Sequence, residues 1–383
     1  MNSTAWASRL PWGIVVLATM LVGIGWAGIG RSQEISAVGE GFLRRQIQWS
    51  IVAATAMVLI TLLNYRVLIR YSYSIFAVCL ALLVLVYFTV PVNGAHRWIR
   101  LGPLSLQPSE LAKPALVLCL ARWLMYRDSY RRLDGLLIPL GFVLVPVLLV
   151  LKEPDLGSSL VFLPVMFAML FAAGARLRHL AALLLVATAM LPLLWSQMSR
   201  EQKSRITALA EQASAEQQPS DDSYHLYQAK RMIALGGVQG SFVLGDDIAD
   251  RAGCTVPEPH TDSIFSILAE RFGLWGIAAL LALFVLLVWR ILAVAQKTHE
   301  PYGRLVAVGV AAMLSVQVLI NTGMMVGLVP ITGLTLPLVS YGGSSLLANA
   351  LALGLVLNIA LRPGFEIAKE PFRFAVAHSA SAS

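Results

Sequence analysis

Leu274-Trp-Gly-Ile-Ala-Ala-Leu-Leu-Ala-Leu-Phe-Val-Leu-Leu-Val-Trp-Arg-Ile-Leu-Ala-Val-Ala295 is an unbroken apolar run whose single charge is Arg290. A hydrocarbon layer about 30 Å thick needs about 20 apolar helical residues to cross it. In lipid, every backbone N–H and C=O must also be satisfied within the segment, which a helix achieves. The run therefore reads as a transmembrane helix, and the pattern recurs outward from it in both directions. Crossings are expected near 12–29, 47–64, 72–92, 107–125, 135–151, 157–174, 179–195, 274–295, 305–328 and 343–361. With 383 residues, 57% hydrophobic and 13% charged, the chain reads as an all-α integral membrane protein of about ten helices. It forms a single polytopic domain over 1–383, with one long extracytoplasmic loop, 196–262, between the seventh and eighth helices.

Orientation follows from the basic residues of the short loops, because cytoplasmic loops hold the excess of Lys and Arg. One set of loops and ends, from Arg9 through Arg66, Arg127, Arg176 and Lys297 to Arg373, carries 13 basic residues, and the opposite set carries 6. Both termini, and a tail over 363–383, are thus expected in the cytoplasm, and the long loop outside. The net charge of +8 is explained by cations flanking apolar runs. Nucleic acid is excluded as a partner, since no recognition module accompanies that charge. The run from Trp12 to Ile29 is longer than a signal peptide's apolar core and no A-x-A site follows, so it is read as an uncleaved first helix. Cys79 and Cys119 lie in apolar runs and Cys254 in a polar loop, which suggests neither a disulfide framework nor a CxxC metal site. No G-x-x-x-x-G-K-[ST] loop is present to bind ATP.

Four polar segments fall at the outer ends of helices under this topology. In the first, Asn93-Gly-Ala-His-Arg97-Trp98-Ile-Arg100 precedes Gln107-Pro-Ser-Glu110-Leu-Ala-Lys113. Glu110 and Lys113, three apart, share a helix face. They read either as an internal ion pair beside an interfacial Trp, or, with Arg97, as a clamp on an anionic headgroup. The second, Lys152-Glu153-Pro-Asp155-Leu-Gly157, offers two carboxylates at a helix junction, where Asp155 is a candidate helix cap. The third, Pro257-Glu258-Pro-His260-Thr261-Asp262, leads into a short amphipathic run that Gly273 should stop. There Asp262 or Thr261 is either an N-cap or a functional group. In the fourth, Asn321 to Gly343, Pro330, Pro337 and Ser340-Tyr-Gly342-Gly343-Ser-Ser345 break helical geometry at membrane depth. Irregular backbone there must line a cavity or be buried in protein, and a Gly-rich turn opening a helix is a candidate phosphate cradle. Together the segments describe an outward-facing cavity of carboxylates and cations, suited to a substrate with a hydrocarbon tail, an anionic linker and a polar headgroup.

The wording N-G-A-H-R-W-I-R-L-G…Q-P-S-E-L-A-K, E-P-D-L-G-S, P-E-P-H-T-D-S-I-F-S-I-L-A-E-R-F-G and G-L-T-L-P-L-V-S-Y-G-G-S-S-L-L resembles the shape, elongation, division and sporulation family, to which FtsW, RodA and SpoVE belong. The resemblance runs in order over roughly residues 10 to 362. It implies a glycosyltransferase of the cytoplasmic (inner) membrane that polymerises lipid II into glycan strands on the outer face, releasing undecaprenyl diphosphate. Such an enzyme serves cell-wall biogenesis in cell division or cell shape, and the wording leans toward the FtsW-like branch. The implied partner is a class B penicillin-binding protein, a transpeptidase. Carried over position by position, the essential aspartate of P-E-x-H-T-D is Asp262. Glu258 and His260 share that motif, and Arg97, Trp98, Glu110, Lys113, Asp155, Ser340, Gly342 and Gly343 fall on characteristic positions. The chain departs from the pattern at Cys254, where many relatives carry an acid, at Glu153 for the usual Gln, and at Ser263 for a frequent aromatic.

The chemistry so implied is attack of a GlcNAc 4-hydroxyl on the anomeric carbon of a MurNAc pyrophosphoryl lipid, with inversion. Asp262 is the expected general base, a role that contributes about 10²- to 10⁴-fold. Arg97 and Lys113 are the expected partners of the departing pyrophosphate. A divalent cation, Mg or Mn, is compatible with that chemistry, although no H-E-x-x-H or similar ligand spacing calls for one. Two rival readings are a transporter that flips lipid-linked precursors and a non-catalytic scaffold for a transpeptidase.

Overall fold

The computed structural model describes residues 10–36, 41–90, 96–101, 104–125, 134–190, 192, 195–196, 198–211, 221–244 and 258–362. Cys254 and the 363–383 tail lie outside them. The chain enters through α1 (Trp12–Ser36), α2 (Phe42–Leu62) and α3 (Tyr65–Val86). A hairpin, β1 (Ile99–Leu101) and β2 (Leu104–Leu106), leads into α4 (Pro108–Met125), α5 (Leu137–Lys152), α6 (Leu156–Ala173) and α7 (Leu177–Ala189). The expected long loop holds α8 (Arg200–Glu211), α9 (Asp221–Gly236) and the one-turn α10 (Ser241–Leu244). The chain then returns through α11 (Ile264–Lys297), α12 (Pro301–Val326) and α13 (Gly343–Ala360).

Seven helices, α1, α2, α3, α6, α11, α12 and α13, are long and apolar enough to cross a membrane. α5 and α7 are apolar but shorter, and α4 carries Glu110, Lys113 and Arg122 within its 18 residues. Among the described residues, length and composition alone therefore mark seven crossings; this count does not test the three further ones expected. The outer surface of the bundle is apolar, with Val285, Leu319 and Leu185 each exposed by two thirds or more, as lipid contact requires.

α4 is buried along almost its whole length and packs with α6, α12 and α13 as the centre of the bundle. Small residues permit close helix crossings there, as is usual between membrane helices. Gly354 of α13 faces the Met57 carbonyl of α2, and Gly309 of α12 faces Val117 of α4. Side chains set several helix ends: Asn64 caps α3 by accepting from Arg66 N at 3.0 Å, and left-handed Gly174 and Gly327 close α6 and α12.

The all-α expectation holds, with one short addition: Ile99, Arg100 and Leu101 pair antiparallel with Leu106, Ser105 and Leu104. Their alternation of apolar and polar side chains suits a strand, and it is too short to stand out among helical runs. One expectation is corrected: Gly273 does not end a separate helix. It kinks α11, at φ 63° and ψ −165°, and the helix resumes beyond it. The resumed turn finds acceptors in the preceding segment: Leu274 N donates to Gly237 O at 3.0 Å and Trp275 N to Val238 O at 3.5 Å. Gly240, itself at φ 79°, lies so close to Gly273 that a Cβ on either would collide with the other's backbone.

Candidate active site

The start of α2, the hairpin, the starts of α4, α6, α11 and α13, and the turn before α13 meet at one end of the bundle. The Glu258–Asp262 turn is held from two sides. Tyr341 N donates to His260 O at 2.8 Å, and the His260 ring lies 4.1 Å from Phe42 and 5.4 Å from Tyr341. Asn321 of α12 donates through Nδ2 to the Asp262 carbonyl at 2.9 Å and to Leu334 O at 2.7 Å, tying this turn to the irregular backbone before α13. Ser340, Gly342 and Gly343 form the facing turn. Buried Gln46 of α2 donates to Ser340 O at 3.1 Å and accepts from Gly342 N at 3.3 Å. The Ser340 hydroxyl accepts from Leu336 N at 2.9 Å.

These contacts decide between open readings. The N-cap of α11 is Ser263, and it makes no side-chain cap bond. Neither Asp262 nor Thr261 caps the helix, because the chain turns once more before becoming helical. The Asp262 carboxylate is buried and accepts from the Thr261 and Ser263 hydroxyls, each at 3.4 Å to Oδ1. His225 of α9 in turn bonds Ser263 Oγ at 2.7 Å. Burial pushes the Asp262 carboxyl above the usual carboxylate range; the neighbouring His225 opposes the shift and Glu258 adds to it. Glu258 itself is exposed, 3.9 Å from His260. Burial holds the His260 imidazole below its usual range. At Gly343 the Trp49 ring occupies the space a Cβ would need, so this glycine serves close packing of α2 on α13.

A second cluster surrounds the start of α6. Asp155 is its N-cap, as one reading expected: Oδ1 accepts from Ser158 N at 3.0 Å. Oδ2 accepts from Gln107 Nε2 at 3.0 Å and from the Ser109 hydroxyl at 3.3 Å, so one carboxylate fastens α6 to the head of α4. Arg97 donates to the carbonyls of Glu153 (2.9 Å) and Pro154 (2.6 Å), and Trp98 accepts at its carbonyl from Thr89 Oγ1 at 3.2 Å. Lys113 and Glu110 form a buried ion pair, Nζ to Oε1 2.6 Å. Among the described residues no hydrogen bond or ion pair joins this pair to Arg97 or Asp262. The two clusters connect through the backbone before α13 and through the start of α13. Gly157 abuts Thr332 O, while Ser344 Oγ accepts from Gln107 N at 2.9 Å and donates to Ser105 O at 3.1 Å. Among the described residues no three His, Cys, Asp or Glu side chains are grouped to hold a metal ion.

Glu153 is the outlier of this cluster. Glu153 is 1% exposed, and among the described residues neither carboxylate oxygen has a hydrogen-bond partner. Burial, with the Asp155 carboxylate beside it, pushes its pKa up to about 8, against the opposing field of Arg97. The folded protein thus keeps this proton to higher pH than the unfolded chain. The stabilisation is complete below the ordinary carboxylate value and is lost as pH rises to about 8. Glu153→Gln, neutral at every pH, should remove that loss. Melting temperatures in detergent at pH 5 and pH 8 are expected to drop by several degrees more in the wild type than in the variant, and equal drops would show that Glu153 does not carry the proton.

Gln46, Trp49, His225, Asn321 and Ser344 complete the site without having been singled out as site residues from the sequence. Gln46 and Asn321 are polar residues inside apolar helices, a signal of function in itself.

Both the sequence and the fold that carries this arrangement are similar to those of known proteins. A family model described as "Cell cycle protein", covering FtsW, RodA and SpoVE, matches residues 8–363. The chain is 35% identical over 328 residues to the peptidoglycan glycosyltransferase MrdB of Escherichia coli (strain K12), covering 85% of this chain and 87% of that one. It is 34% identical over 361 residues to a probable peptidoglycan glycosyltransferase FtsW of Geobacter metallireducens, covering 91% and 94%. A chain in a solved peptidoglycan synthase complex that coordinates polymerization and crosslinking superposes with a TM-score of 0.77 at 34% identity, covering 91% of this chain and 97% of that one. With the family model spanning nearly its whole length and relatives of this identity matched almost end to end, this multi-pass membrane protein belongs to the FtsW/RodA/SpoVE family.

Proposed function

We propose that the chain is a peptidoglycan glycosyltransferase that polymerises lipid II at the outer face of the cytoplasmic membrane, in elongation or division. The observation that carries the reading most directly is Asp262, a buried carboxylate with two long hydroxyl contacts and no capping role, in a chain with the family's fold. The Asp262 carboxylate takes the proton of the acceptor GlcNAc 4-hydroxyl as its oxygen bonds to the MurNAc anomeric carbon. The bond from that carbon to the pyrophosphate breaks, its electron pair leaves with undecaprenyl diphosphate, and configuration inverts in one displacement. Arg97, half-buried and anchored on the Glu153–Pro154 backbone, is the cation best placed to steady the departing charge. Lys113 already neutralises Glu110 and holds the head of α4. The partner is a class B penicillin-binding protein, in keeping with the synthase complex in which the similar chain was solved. Purified chain, with that partner and labelled lipid II, is expected to produce glycan oligomers. Translocation of lipid II without polymerisation, or no product with an active partner present, would favour the transporter or the scaffold.

Both termini are cytoplasmic in this reading, supported by the 13 to 6 asymmetry of loop cations. Tyr227 on α9 is exposed, while Cys79 and Cys119 are buried. With Cys254→Ser as background, Tyr227→Cys should react with an impermeant thiol reagent on intact cells. Labelling only after lysis would invert the topology.

A further inference from the structure

A cavity of about 420 Å³, lined by Leu62, Asn64, Tyr65, Arg66 and Arg362, sits at the other end of the bundle from Asp262. Gln46, near the start of α2, bonds Ser340 in the candidate site, whereas Asn358, near the end of α13, bonds carbonyls at the end of α2. The 21 residues of α2 rise about 31 Å at 1.5 Å each, the thickness of a hydrocarbon layer.

We propose that this cavity binds the phosphate of an anionic phospholipid headgroup at the membrane face opposite Asp262. Two of its five lining residues are arginines and none is acidic. Glu300, whose field reaches Tyr65, is buried and not among them. One of the two cations is built in: Arg362 Nη1 donates to the Asn358 carbonyl at 3.3 Å and also to its side-chain oxygen. Asn358 Nδ2 donates to Ile60 O at 2.6 Å, Leu63 O at 2.9 Å and Thr61 O at 3.1 Å. The carbonyls that would give the end of α2 its negative potential are thereby occupied. The first turn of α3 begins at the cavity, with Asn64 as its cap, and its backbone N–H groups favour an anion. Leu59, Leu62, Leu63 and Val67 are exposed alongside, an apolar surface on which an acyl chain can lie. That surface selects a lipid over free phosphate, which has no tail to bury.

Native mass spectrometry of the full-length protein with phosphatidylglycerol, phosphatidylcholine and inorganic phosphate tests this. Each arginine near an anionic surface is worth a factor of about 5. Arg66→Gln and Arg362→Gln should each weaken phosphatidylglycerol binding about fivefold, and the double variant about 25-fold, with phosphatidylcholine binding unchanged. Arg66 is on the surface, so its variant reports even if loss of the Arg362–Asn358 contact unfolds the other. Unchanged phosphatidylglycerol binding in Arg66→Gln and in whichever other variants fold would overturn the site. An equal loss for phosphatidylcholine would overturn its anion selectivity, and displacement of the lipid by millimolar inorganic phosphate would make free phosphate the ligand. In full-length Glu366→Gln/Glu370→Gln we expect unchanged lipid binding; a gain of tenfold or more would make the chain's own acidic tail the occupant.

Discussion

Asp262→Asn is expected to fold like the wild type and to polymerise lipid II slower by about 10²-fold or more. The substitution is close to isosteric, and what Asp262 does for the fold survives it. Its backbone carbonyl still accepts from Asn321, an amide oxygen still accepts from the Thr261 and Ser263 hydroxyls, and the N-cap of α11 is Ser263 in any case. What is lost is the ability to take a proton from the acceptor hydroxyl. The raised pKa of the buried carboxyl adds two signs that separate catalysis from folding. The base exists only above that pKa, so the acid limb of wild-type kcat/KM should lie above the ordinary carboxylate range, with activity rising as pH rises through it. Stability runs the opposite way, because the folded state holds this proton to higher pH than the unfolded chain and loses that advantage as pH climbs. The Asn variant should therefore be at least as heat-stable as the wild type at neutral pH while nearly inactive. Near-normal glycan synthesis at matched protein level would remove Asp262 from the chemistry.

Much of this was legible in the sequence where the relevant contacts are local. Apolar runs announce helices because lipid leaves the backbone no other partner. Glu110 and Lys113 were legible as an ion pair because three residues along a helix place them on one face, and Asp155 as a cap because the acceptor of a helix's first N–H groups precedes it by two or three residues. The remainder depends on residues far apart in the chain. Gln46 matters because it meets a turn 294 positions away, and Ser344 because it meets the hairpin 239 positions before it. No periodicity encodes either contact. His225 was invisible for another reason: a lone histidine in a polar loop carries no pattern, and only the packing of α9 on α11 puts it beside Ser263. Asp262 shows the limit from the other side. Its position before an apolar run suits a cap as well as a base, and one extra turn residue, Ser263, separates the two readings.

Lys113→Ala should be the most destabilising of the substitutions considered, and its rescue tells structure from substrate binding. Both members of the pair are nearly inaccessible, with side chains 2% and 7% exposed and 2.6 Å between Nζ and Oε1. Removing the lysine leaves the Glu110 carboxylate without its counter-charge in the interior, which costs about 3–5 kcal/mol, on the order of 10 °C in melting temperature. Removing both charges does not carry that cost, since a buried ion pair replaced by neutral groups of similar volume is often neutral or better. Glu110→Gln/Lys113→Met is therefore expected to melt close to the wild type. Because the Lys113 charge is already balanced by Glu110, polymerisation should return with the fold. If the double variant regains its stability yet still fails to extend lipid II, Lys113 contributes a cation to the pyrophosphate after all, and Arg97 does not act alone at the leaving group.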